Sequence, residues 1–255
     1  MSATPVILVT AGSAGLGAAA AKLFATAGYR VVINYSSNES RASDLILELE
    51  KLSPLQSTND AARNFLAVKA DLTKKSEIAN LVSEVLARMK RLDVVFSNGG
   101  WTVVTDFNDL DDNLDEDIWD RCWNMNVKSH LWLFHAAKEH LKESEGCFIT
   151  TASLAGVKPS GSSIAYSVTK AAQIHLVKTL ATISGPHIRV NSVSPGLLLT
   201  EWGLRFPQEK QDASRAKTKL NRFATVEDVA EQILCFAKSK SVTGSNAIID
   251  AGWSL

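Results

Sequence analysis

The chain has 255 residues with 27 basic and 27 acidic side chains, so its formal net charge is zero. Balanced charge gives no electrostatic reason to expect nucleic acid or an anionic membrane as a partner, and a hydrophobic content of 45% is enough for a substantial core. The 3 cysteines lie far apart and fit neither a disulfide framework nor a metal-ligand spacing, which indicates a reducing compartment. We see neither a signal sequence nor an apolar run long enough for a membrane span, and therefore expect a cytoplasmic protein.

Short β-branched runs alternate with amphipathic helical patterns along the chain. The strand-like runs lie at 6–10, 30–35, 65–72, 92–100, 147–153, 188–196 and 246–252. Helical spacing of apolar residues follows at 16–28, 39–52, 76–91, 115–143, 164–180 and 226–238. This order predicts an α/β fold: one domain, residues 1–255, with a Rossmann-like, doubly wound parallel sheet of about seven strands and helices on both faces. Such sheets bind ligands at the carboxyl ends of their strands.

Residues 196–220 fit neither pattern and are too many for an ordinary connection. The stretch carries Trp202, Phe206 and a charged tail. Because long loops in compact domains are often lids, we predict a mobile substrate lid made of one or two short helices. The alternative is a surface excursion without a role.

A glycine-rich turn, TAGSAGLG at 10–17, separates the first strand from the first helix. Gly15 and Gly17 would let the backbone approach a pyrophosphate, and the amino terminus of the helix favours negative charge. The alternative is a strand-to-helix turn that needs glycine for its own geometry. The place of the turn, directly after the first strand, favours a dinucleotide-binding loop.

Tyr166 and Lys170 stand four residues apart in the predicted helix IAYSVTKAAQIHLVKTL. Side chains at this spacing share one face of a helix. A nearby ammonium group stabilises a phenolate, so we expect Lys170 to lower the pKa of Tyr166 and make it a useful acid or base. The alternative is a half-buried tyrosine beside a lysine that reaches toward solvent.

The whole chain resembles the short-chain dehydrogenase/reductase family. The turn at 10–17 resembles the family's T-G-x-x-x-G-x-G with Ala11 in place of the first glycine, where a positive φ would be disfavoured unless Gly12 shares the adjustment. SNGG at 97–100 resembles N-N-A-G, with Ser97 and Gly99 replacing the family's residues. NAIIDAGW at 246–253 resembles the closing strand.

The resemblance implies four catalytic residues. Asn126 in NMNVKSH, Ser153 in TTASLAG, Tyr166 and Lys170 match the family's catalytic positions. By this resemblance Tyr166 exchanges a proton with a substrate oxygen and Ser153 stabilises that oxygen. Lys170 supports the tyrosine and binds the nicotinamide ribose, and Asn126 holds a water that links Lys170 to solvent.

The resemblance also implies a nicotinamide dinucleotide site. Asp71 matches the acidic residue that meets the adenine, and SPGLLLT at 194–200 matches the segment in which Thr200 holds the carboxamide. The residues expected to bind the cofactor are Gly12, Ser13, Gly15, Leu16, Gly17, Tyr35, Ser36, Ser37, Asp71, Leu72, Asn98, Gly99, Gly100, Tyr166, Lys170, Pro195, Gly196, Leu198 and Thr200.

The end of the second predicted strand favours NADP(H) over NAD(H). Relatives that prefer NAD carry an acid where this chain has Tyr35, and Ser36 and Ser37 follow with further hydroxyl groups. Donors without a carboxylate suit a 2′-phosphate, and Arg41 lies one turn further along. The family's common basic residue in the glycine loop is missing, which points the other way.

Other features carry less information. Trp101 and Trp202 are candidates to line an apolar or aromatic substrate pocket, although ordinary packing is the alternative. The acidic stretch 106–117 lacks the glycine and glutamate of a calcium loop, and the histidines form no ligand cluster, so we expect no metal. The resemblance implies a homodimer or homotetramer.

The resulting hypothesis is NADPH-dependent reduction of a carbonyl group in a small substrate, with Tyr166 as general acid. The alternatives are an NAD-linked alcohol dehydrogenase, a dinucleotide-binding sensor or scaffold without turnover, and a lyase or isomerase that uses the same tyrosine. The intact Ser153, Tyr166 and Lys170 argue against a sensor or scaffold.

Overall fold

A parallel sheet of seven strands forms the centre of the molecule, and the computed structural model describes residues 4–55 and 64–255. The strand order is 3-2-1-4-5-6-7, and every neighbouring pair is parallel. The strands are β1 (Val6–Val9), β2 (Arg30–Tyr35), β3 (Phe65–Lys69), β4 (Val94–Ser97), β5 (Cys147–Thr151), β6 (Arg189–Pro195) and β7 (Asn246–Ile249). The predicted doubly wound α/β fold is confirmed.

Helices connect the strands, and several of them begin at a residue whose side chain caps the helix. The Asn38 side chain accepts from the Arg41 amide, and Thr225 and Asp228 form a reciprocal capping box. The helices are α1 (Gly15–Thr26), α2 (Glu39–Leu52), α3 (Lys75–Met89), α4 (Glu116–Trp123), α5 (Ser129–Glu143), α6 (Ile164–Ser184), α7 (Gln208–Ala216) and α8 (Val226–Lys238). Among residues 4–55 and 64–255, none of these helices is both apolar and long enough to traverse a bilayer.

Two hydrophobic cores, one on each face of the sheet, account for the layers. Successive side chains of a strand point to opposite faces, and β1 follows this rule: Ile7 and Val9 join one core, and Val6 and Leu8 join the other. The first core includes residues of α1, α2 and α8, and the second includes residues of α3, α5 and α6. Burial of the sheet on both faces therefore explains why a strand such as β1 is apolar at every position.

The strand order reverses between β1 and β4, because β1 is followed in sequence by β2 on one side and is paired with β4 on the other. Connections leave the sheet in opposite directions at this point and open a crevice at the carboxyl ends of the strands. Several strands end earlier than predicted: β4 ends at Ser97, and the residues up to Gly100 lie outside the sheet. The chain after β4 therefore contributes to the crevice and not to the sheet.

Residues 196–220 contain a single 3-10 turn, Gly203–Arg205, followed by α7. This matches the predicted one or two short helices, while the role of the segment as a lid stays a prediction. The helical region predicted at 115–143 also differs in detail. It consists of α4 and α5 with a π-helical turn, Asn124–Lys128, between them.

Candidate active site

Asn98 joins the carboxyl ends of three strands at the crevice. Its backbone N–H donates to Thr10 Oγ1 at 2.9 Å, which links β4 to the end of β1. Its side chain accepts from Thr151 Oγ1 at 2.9 Å and donates to the carbonyl of Ala11 at 3.4 Å. One side chain thus connects the glycine-rich turn with the end of β5, and this explains its place in the predicted site.

Asn34 at the end of β2 supports the glycine-rich turn from below. Its side-chain oxygen accepts from the Ala11 N–H at 3.2 Å and its backbone carbonyl accepts from the Gly12 N–H at 2.8 Å. Gly12 has no room for a side chain, because a β-carbon there would lie 2.8 Å from the β-carbon of Ile33. A β-carbon on Gly17 would lie 2.4 Å from the Ala11 carbonyl oxygen. The turn is therefore closely packed and backbone-lined.

Ala11 itself adopts a positive φ of 47°. The turn keeps its shape as expected, but Gly12 does not share the adjustment, since it is absent from the glycines with positive φ in the described chain. The two hydrogen bonds to Asn34 hold Ala11 and Gly12 in place. The strain that the sequence analysis anticipated is accordingly carried by Ala11 alone.

An Ala11→Gly variant should be more stable than the wild type by up to about 1 kcal/mol, because glycine removes the left-handed strain and loses only part of that gain to backbone entropy. Denaturant unfolding followed by circular dichroism measures the difference. No second substitution is needed as a control. Most substitutions lower the free energy of unfolding, whereas this one is expected to raise it. A loss of more than about 1 kcal/mol would contradict the strain assigned to Ala11.

The first turn of α1 has free amide groups. Its N-cap, Ala14, offers no side-chain hydrogen bond, and no acidic residue occupies the first turn. Exposed N–H groups and the helix dipole favour an anion at such a terminus. Among the predicted cofactor-binding residues, Ser13, Gly15, Leu16 and Gly17 lie at this terminus. A dinucleotide's pyrophosphate fits the close backbone packing described above.

Two loops bring Ser153 and Tyr166 together. Ser153 follows β5 and caps a 3-10 turn, Leu154–Gly156, by accepting from the Ala155 N–H at 3.1 Å. Tyr166 lies in the first turn of α6, whose N-cap Ser163 accepts from the Tyr166 N–H at 3.1 Å. A side-chain hydrogen bond from Ser153 to Tyr166 favours the phenolate. The structure therefore brings the two predicted side chains into contact, and their action on one substrate oxygen stays a prediction.

Lys170 lies beneath Tyr166, with its Nζ 5.6 Å from the centre of the phenol ring. The ammonium donates to the Thr151 carbonyl at 2.8 Å and to Gln173 Oε1 at 2.9 Å. A β-carbon on Gly100 would lie 3.5 Å from both Lys170 Nζ and Asn126 Oδ1, so these two groups face the same point of the crevice. The predicted pairing of tyrosine and lysine on one helix face is observed.

The expected lowering of the Tyr166 pKa is wrong for this structure. Burial raises the pKa of Tyr166 to about 12, although the Ser153 hydrogen bond acts in the opposite direction. Burial also lowers the pKa of Lys170 to about 7. A lysine that is only partly charged near neutrality and 5.6 Å from the ring centre cannot offset the cost of burying a phenolate. The tyrosine is therefore protonated throughout the neutral range.

Asn126 is completely buried in the π-helical turn Asn124–Lys128. Its Oδ1 accepts from the Trp101 N–H at 2.8 Å, and its Nδ2 donates to the Trp101 carbonyl at 2.9 Å and to Thr169 Oγ1 at 3.1 Å. The side chain thus joins the loop after β4 to α6. These contacts commit the amide to the protein, and the role of Asn126 in holding a water stays a prediction. π-Turns of this kind frequently mark functional sites.

A pocket of about 250 Å³ lies on the nucleotide side of the crevice, with Asn34, Ser36, Asp71, Gly100 and Trp101 among its lining residues. Two hydrogen bonds from Thr73 hold the Asp71 carboxylate and lower its pKa. Leu72 also lines this pocket. The predicted adenine-binding pair, Asp71 and Leu72, therefore lies where a nucleotide could enter.

Tyr35 and the two serines that follow it differ in exposure. Tyr35 is buried in the core beside α1 and α2, while Ser36 and Ser37 are exposed. The alternation of strand side chains turns the tyrosine inward. Of the three residues proposed for the 2′-phosphate, Ser36 and Ser37 are the exposed ones.

The segment after β6 reaches across the crevice. A β-carbon on Gly15 would lie 3.2 Å from the Thr200 methyl group, and Glu201 accepts a hydrogen bond of 2.9 Å from Arg41 on α2. Arg41, a candidate phosphate donor, is therefore paired with a carboxylate. Pro195, Gly196 and Leu198 precede Thr200 along the same wall, and Gly196 packs against Asp250 with a built β-carbon 3.1 Å from its Cα.

The two tryptophans do not line the same pocket. Trp202 meets Tyr166 edge to face, with ring centres 6.4 Å apart, as a residue of the substrate pocket would. Trp101 instead lines the nucleotide-side pocket, and the Arg121 guanidinium lies 4.3 Å above its ring. The backbone of Trp101 is held on both sides by Asn126, and the role of Trp101 in a substrate pocket stays a prediction.

Three polar residues near the site were not predicted from the sequence: His130, Gln173 and Arg121. Gln173 accepts from Lys170, and His130 lies within hydrogen-bonding distance of Gln173. Both occupy positions of α5 and α6 that face the core, at 1% and 0% exposure. Polar residues at core-facing helical spacing were the signal that could have found them.

Comparisons with known proteins agree with this geometry. The family model described as enoyl-(acyl carrier protein) reductase matches residues 10–254. The chain is 33% identical over 251 residues to a Streptomyces violaceoruber protein named as ketoacyl reductase 2 of granaticin polyketide synthase, covering 97% of this chain and 95% of that protein. It is 29% identical over 255 residues to a 3-oxoacyl-[acyl-carrier-protein] reductase of Thermotoga maritima, covering 97% and 96%.

A solved structure shares the fold over nearly the same length. The short chain dehydrogenase from Burkholderia cenocepacia in complex with NADP matches with a TM-score of 0.86 and 29% identity, covering 98% of each chain. A family match across almost the whole chain and an identity above 30% establish the relationship. The protein is therefore an oxidoreductase of the short-chain dehydrogenase/reductase family, which acts on carbonyl and alcohol groups.

Proposed function

We propose that this protein reduces a carbonyl group in a small, apolar or aromatic substrate with NADPH. The observation that carries the proposal is the cluster at the mouth of the crevice. Ser153 bonds to Tyr166, Lys170 lies 5.6 Å from the phenol ring, and Trp202 covers the tyrosine edge-on. The nicotinamide coenzyme supplies the hydride in this chemistry.

Tyr166 is suited to donate a proton to the carbonyl oxygen. Its raised pKa keeps the phenol protonated at neutral pH, which is the form that a general acid needs. Ser153 donates a hydrogen bond to the same oxygen and stabilises the negative charge that develops there. Lys170 donates two of its three N–H bonds to Thr151 and Gln173. The third can bind the Tyr166 oxygen or a ribose hydroxyl.

Coenzyme preference rests on the end of β2, where exposed Ser36 and Ser37 are followed by Asn38 and no carboxylate occurs. Hydroxyl and amide groups can donate hydrogen bonds to a 2′-phosphate, whereas a carboxylate would repel it. The NADP complex of the Burkholderia cenocepacia relative supports this choice. The ion pair between Arg41 and Glu201 has to open before Arg41 can contact a phosphate.

We expect kcat/KM to be at least about tenfold higher with NADPH than with NADH, and a Ser36→Asp variant to reverse the preference because the new carboxylate repels the 2′-phosphate. Steady-state kinetics with both coenzymes measures this. Ser83→Asp, which adds the same charge at an exposed serine of α3, serves as a control for unspecific charge effects. Equal or better use of NADH by the wild type would refute the NADPH assignment.

The substrate class is inferred from the wall formed by residues 196–220. Trp202 contacts Tyr166, and Leu199 and Leu204 of the same segment expose apolar side chains. Exposed apolar groups around a polar centre favour apolar ligands. The two relatives named for ketoacyl and oxoacyl reduction suggest ketone groups on acyl or polyketide-like aromatic compounds. A panel of ketones with NADPH consumption as readout tests the proposal, and coenzyme binding without turnover on any of them would favour a sensor.

We infer that residues 196–220 act as a lid. Thr200 packs on Gly15 and Glu201 pairs with Arg41, so the segment touches the opposite wall of the crevice. A closed lid excludes water from the hydride transfer. Hydrogen exchange of residues 196–220, measured with and without NADPH, should show protection only when the coenzyme is present.

A further inference from the structure

A buried chain of polar side chains runs from Lys170 to the end of β4. Gln173 Oε1 lies 2.9 Å from Lys170 Nζ, Gln173 Nε2 lies 3.0 Å from His130 Nε2, and His130 Nδ1 lies 2.6 Å from Ser97 Oγ. The four residues are at most 2% exposed. The chemistry of carbonyl reduction described above uses only the lysine.

The direction of each hydrogen bond in this chain follows from its lysine end. An ammonium only donates, so Gln173 must turn its oxygen toward Lys170 and its amide N–H groups toward His130. His130 Nε2 then accepts, which leaves the ring proton on Nδ1, and that N–H donates to Ser97 Oγ. With Lys170 charged, one amide orientation of Gln173 and one tautomer of His130 fit these three contacts.

The imidazole is neutral in this arrangement. Burial and the neighbouring Lys170 lower the pKa of His130 to about 3. A protonated ring would turn two donors toward each other at the 3.0 Å contact with Gln173. The chain therefore carries hydrogen bonds and no second charge.

Ordinary packing does not account for these two residues. Gln173 and His130 stand on core-facing sides of α6 and α5, where the next positions on those faces are Val177, Leu133 and Phe134. Burying a polar side chain costs free energy that an apolar residue of similar size avoids, unless its hydrogen bonds are needed. Their one shared charged partner is Lys170.

We propose that Gln173, oriented by His130 and Ser97, is a positioning residue that fixes the Lys170 ammonium group beneath Tyr166. The proposal rests on the proposed function, in which Lys170 serves the tyrosine. Gln173 and the Thr151 carbonyl take two of the three lysine N–H bonds and so aim the third. An amide does not pass protons on, so the chain orients Lys170 and does not relay its proton.

The proposal has consequences for the charge state of Lys170. Within the described residues, Tyr166 of α6, Cys122 of α4 and His130 of α5 are the titratable groups that bear on it. Burial raises the pKa of the Cys122 thiol to about 11, so both the thiol and the phenol are uncharged near neutrality. The acceptor oxygen of Gln173 is then a main support of the charged lysine.

Two substitutions at position 173 should move the lysine in opposite directions. Gln173→Leu removes the acceptor, so the pKa of Lys170 should fall by about one unit and kcat should decline at least about tenfold near neutral pH. Gln173→Glu adds a carboxylate, so the pKa should rise and activity should extend to higher pH. Since Glu presents an oxygen to His130, the ring proton should move to Nε2.

NMR of the full chain tests this without relying on activity. Lysine labelled at Cε reports the protonation of Lys170 against pH, and long-range nitrogen–proton spectra report the tautomer of His130. We expect a proton on Nδ1 in the wild type, a switch to Nε2 in Gln173→Glu, and opposite shifts of the lysine titration in the two variants. Phe134→Leu, a core change on α5 outside the chain, should alter neither signal.

Each outcome is decisive. Identical lysine titrations in the wild type, Gln173→Leu and Gln173→Glu, or a wild-type proton on His130 Nε2, would overturn the proposal. If Gln173→Leu does not fold, Gln173→Glu and His130→Phe still decide it, because loss of His130 should disorder the Gln173 amide and shift the lysine titration downward. If the wild type reduces no carbonyl compound, the proposed function is refuted. The NMR result still decides whether Gln173 positions Lys170.

Discussion

A Tyr166→Phe variant is expected to lose about 10²- to 10⁴-fold in kcat for carbonyl reduction while it retains its fold and its affinity for coenzyme. Phenylalanine keeps the ring that packs beside Trp202 but lacks the hydroxyl proton that the proposed mechanism assigns to Tyr166. Ser153 can still bond to the substrate oxygen, so the loss isolates the proton transfer. Steady-state kinetics, circular dichroism and coenzyme titration by fluorescence measure the three quantities.

Tyr29→Phe provides the matched control. Tyr29 packs edge-on against Phe24, with ring centres 4.9 Å apart, at the opposite end of the molecule's sheet from the crevice. Removing its hydroxyl should leave kcat within about twofold of the wild type. If Tyr166→Phe instead kept most of the wild-type activity, the assignment of Tyr166 as the general acid would be wrong.

A Gly156→Ala variant is expected to be destabilised by about 1–3 kcal/mol and to lose activity. A β-carbon at this position would lie 2.5 Å from the carbonyl carbon of Lys170 and 2.7 Å from the backbone nitrogen of Ala171. Both atoms belong to the backbone of α6, so the helix has to move away from the turn that carries Ser153. Denaturant unfolding and kcat measure the two effects.

Gly185→Ala tests whether replacing any glycine next to α6 by alanine lowers stability or activity. Gly185 ends α6 with a φ of −61°, and no atom lies within 4 Å of a β-carbon built there. We expect its unfolding free energy and kcat to match the wild type. Wild-type stability and activity in Gly156→Ala would show that the contact between the 3-10 turn and α6 does not set the position of Lys170.

Much of the fold could be predicted from local patterns. β1 is apolar at four consecutive positions because its two side-chain rows enter two different cores, and this run alone indicated a strand covered on both faces. Caps such as Asn38 and Thr225 fixed the starts of α2 and α8 close to the predicted residues. The juxtaposition of Tyr166 and Lys170 followed from helix geometry, which is local as well.

The features that escaped prediction depend on contacts between distant parts of the chain. The π-helical turn at Asn124–Lys128 keeps the apolar pattern of a continuous helix, and its changed hydrogen bonding has no signature in that pattern. The backbone of Trp101 is held by Asn126, 25 residues away. The pKa of Tyr166 depends on how deeply the packed protein buries it, which helical spacing does not reveal.

Asn98 has a thermodynamic consequence for the enzyme. Its amide donates to Ala11 in the glycine-rich turn and accepts from Thr151, whose carbonyl in turn accepts from the Lys170 ammonium. An anion bound in the turn and a proton bound to Lys170 therefore act on hydrogen bonds that are linked through Asn98 and Thr151. Because coupling between two binding equilibria is reciprocal, we expect coenzyme affinity to vary with pH across the titration of Lys170, and that titration to shift when coenzyme binds.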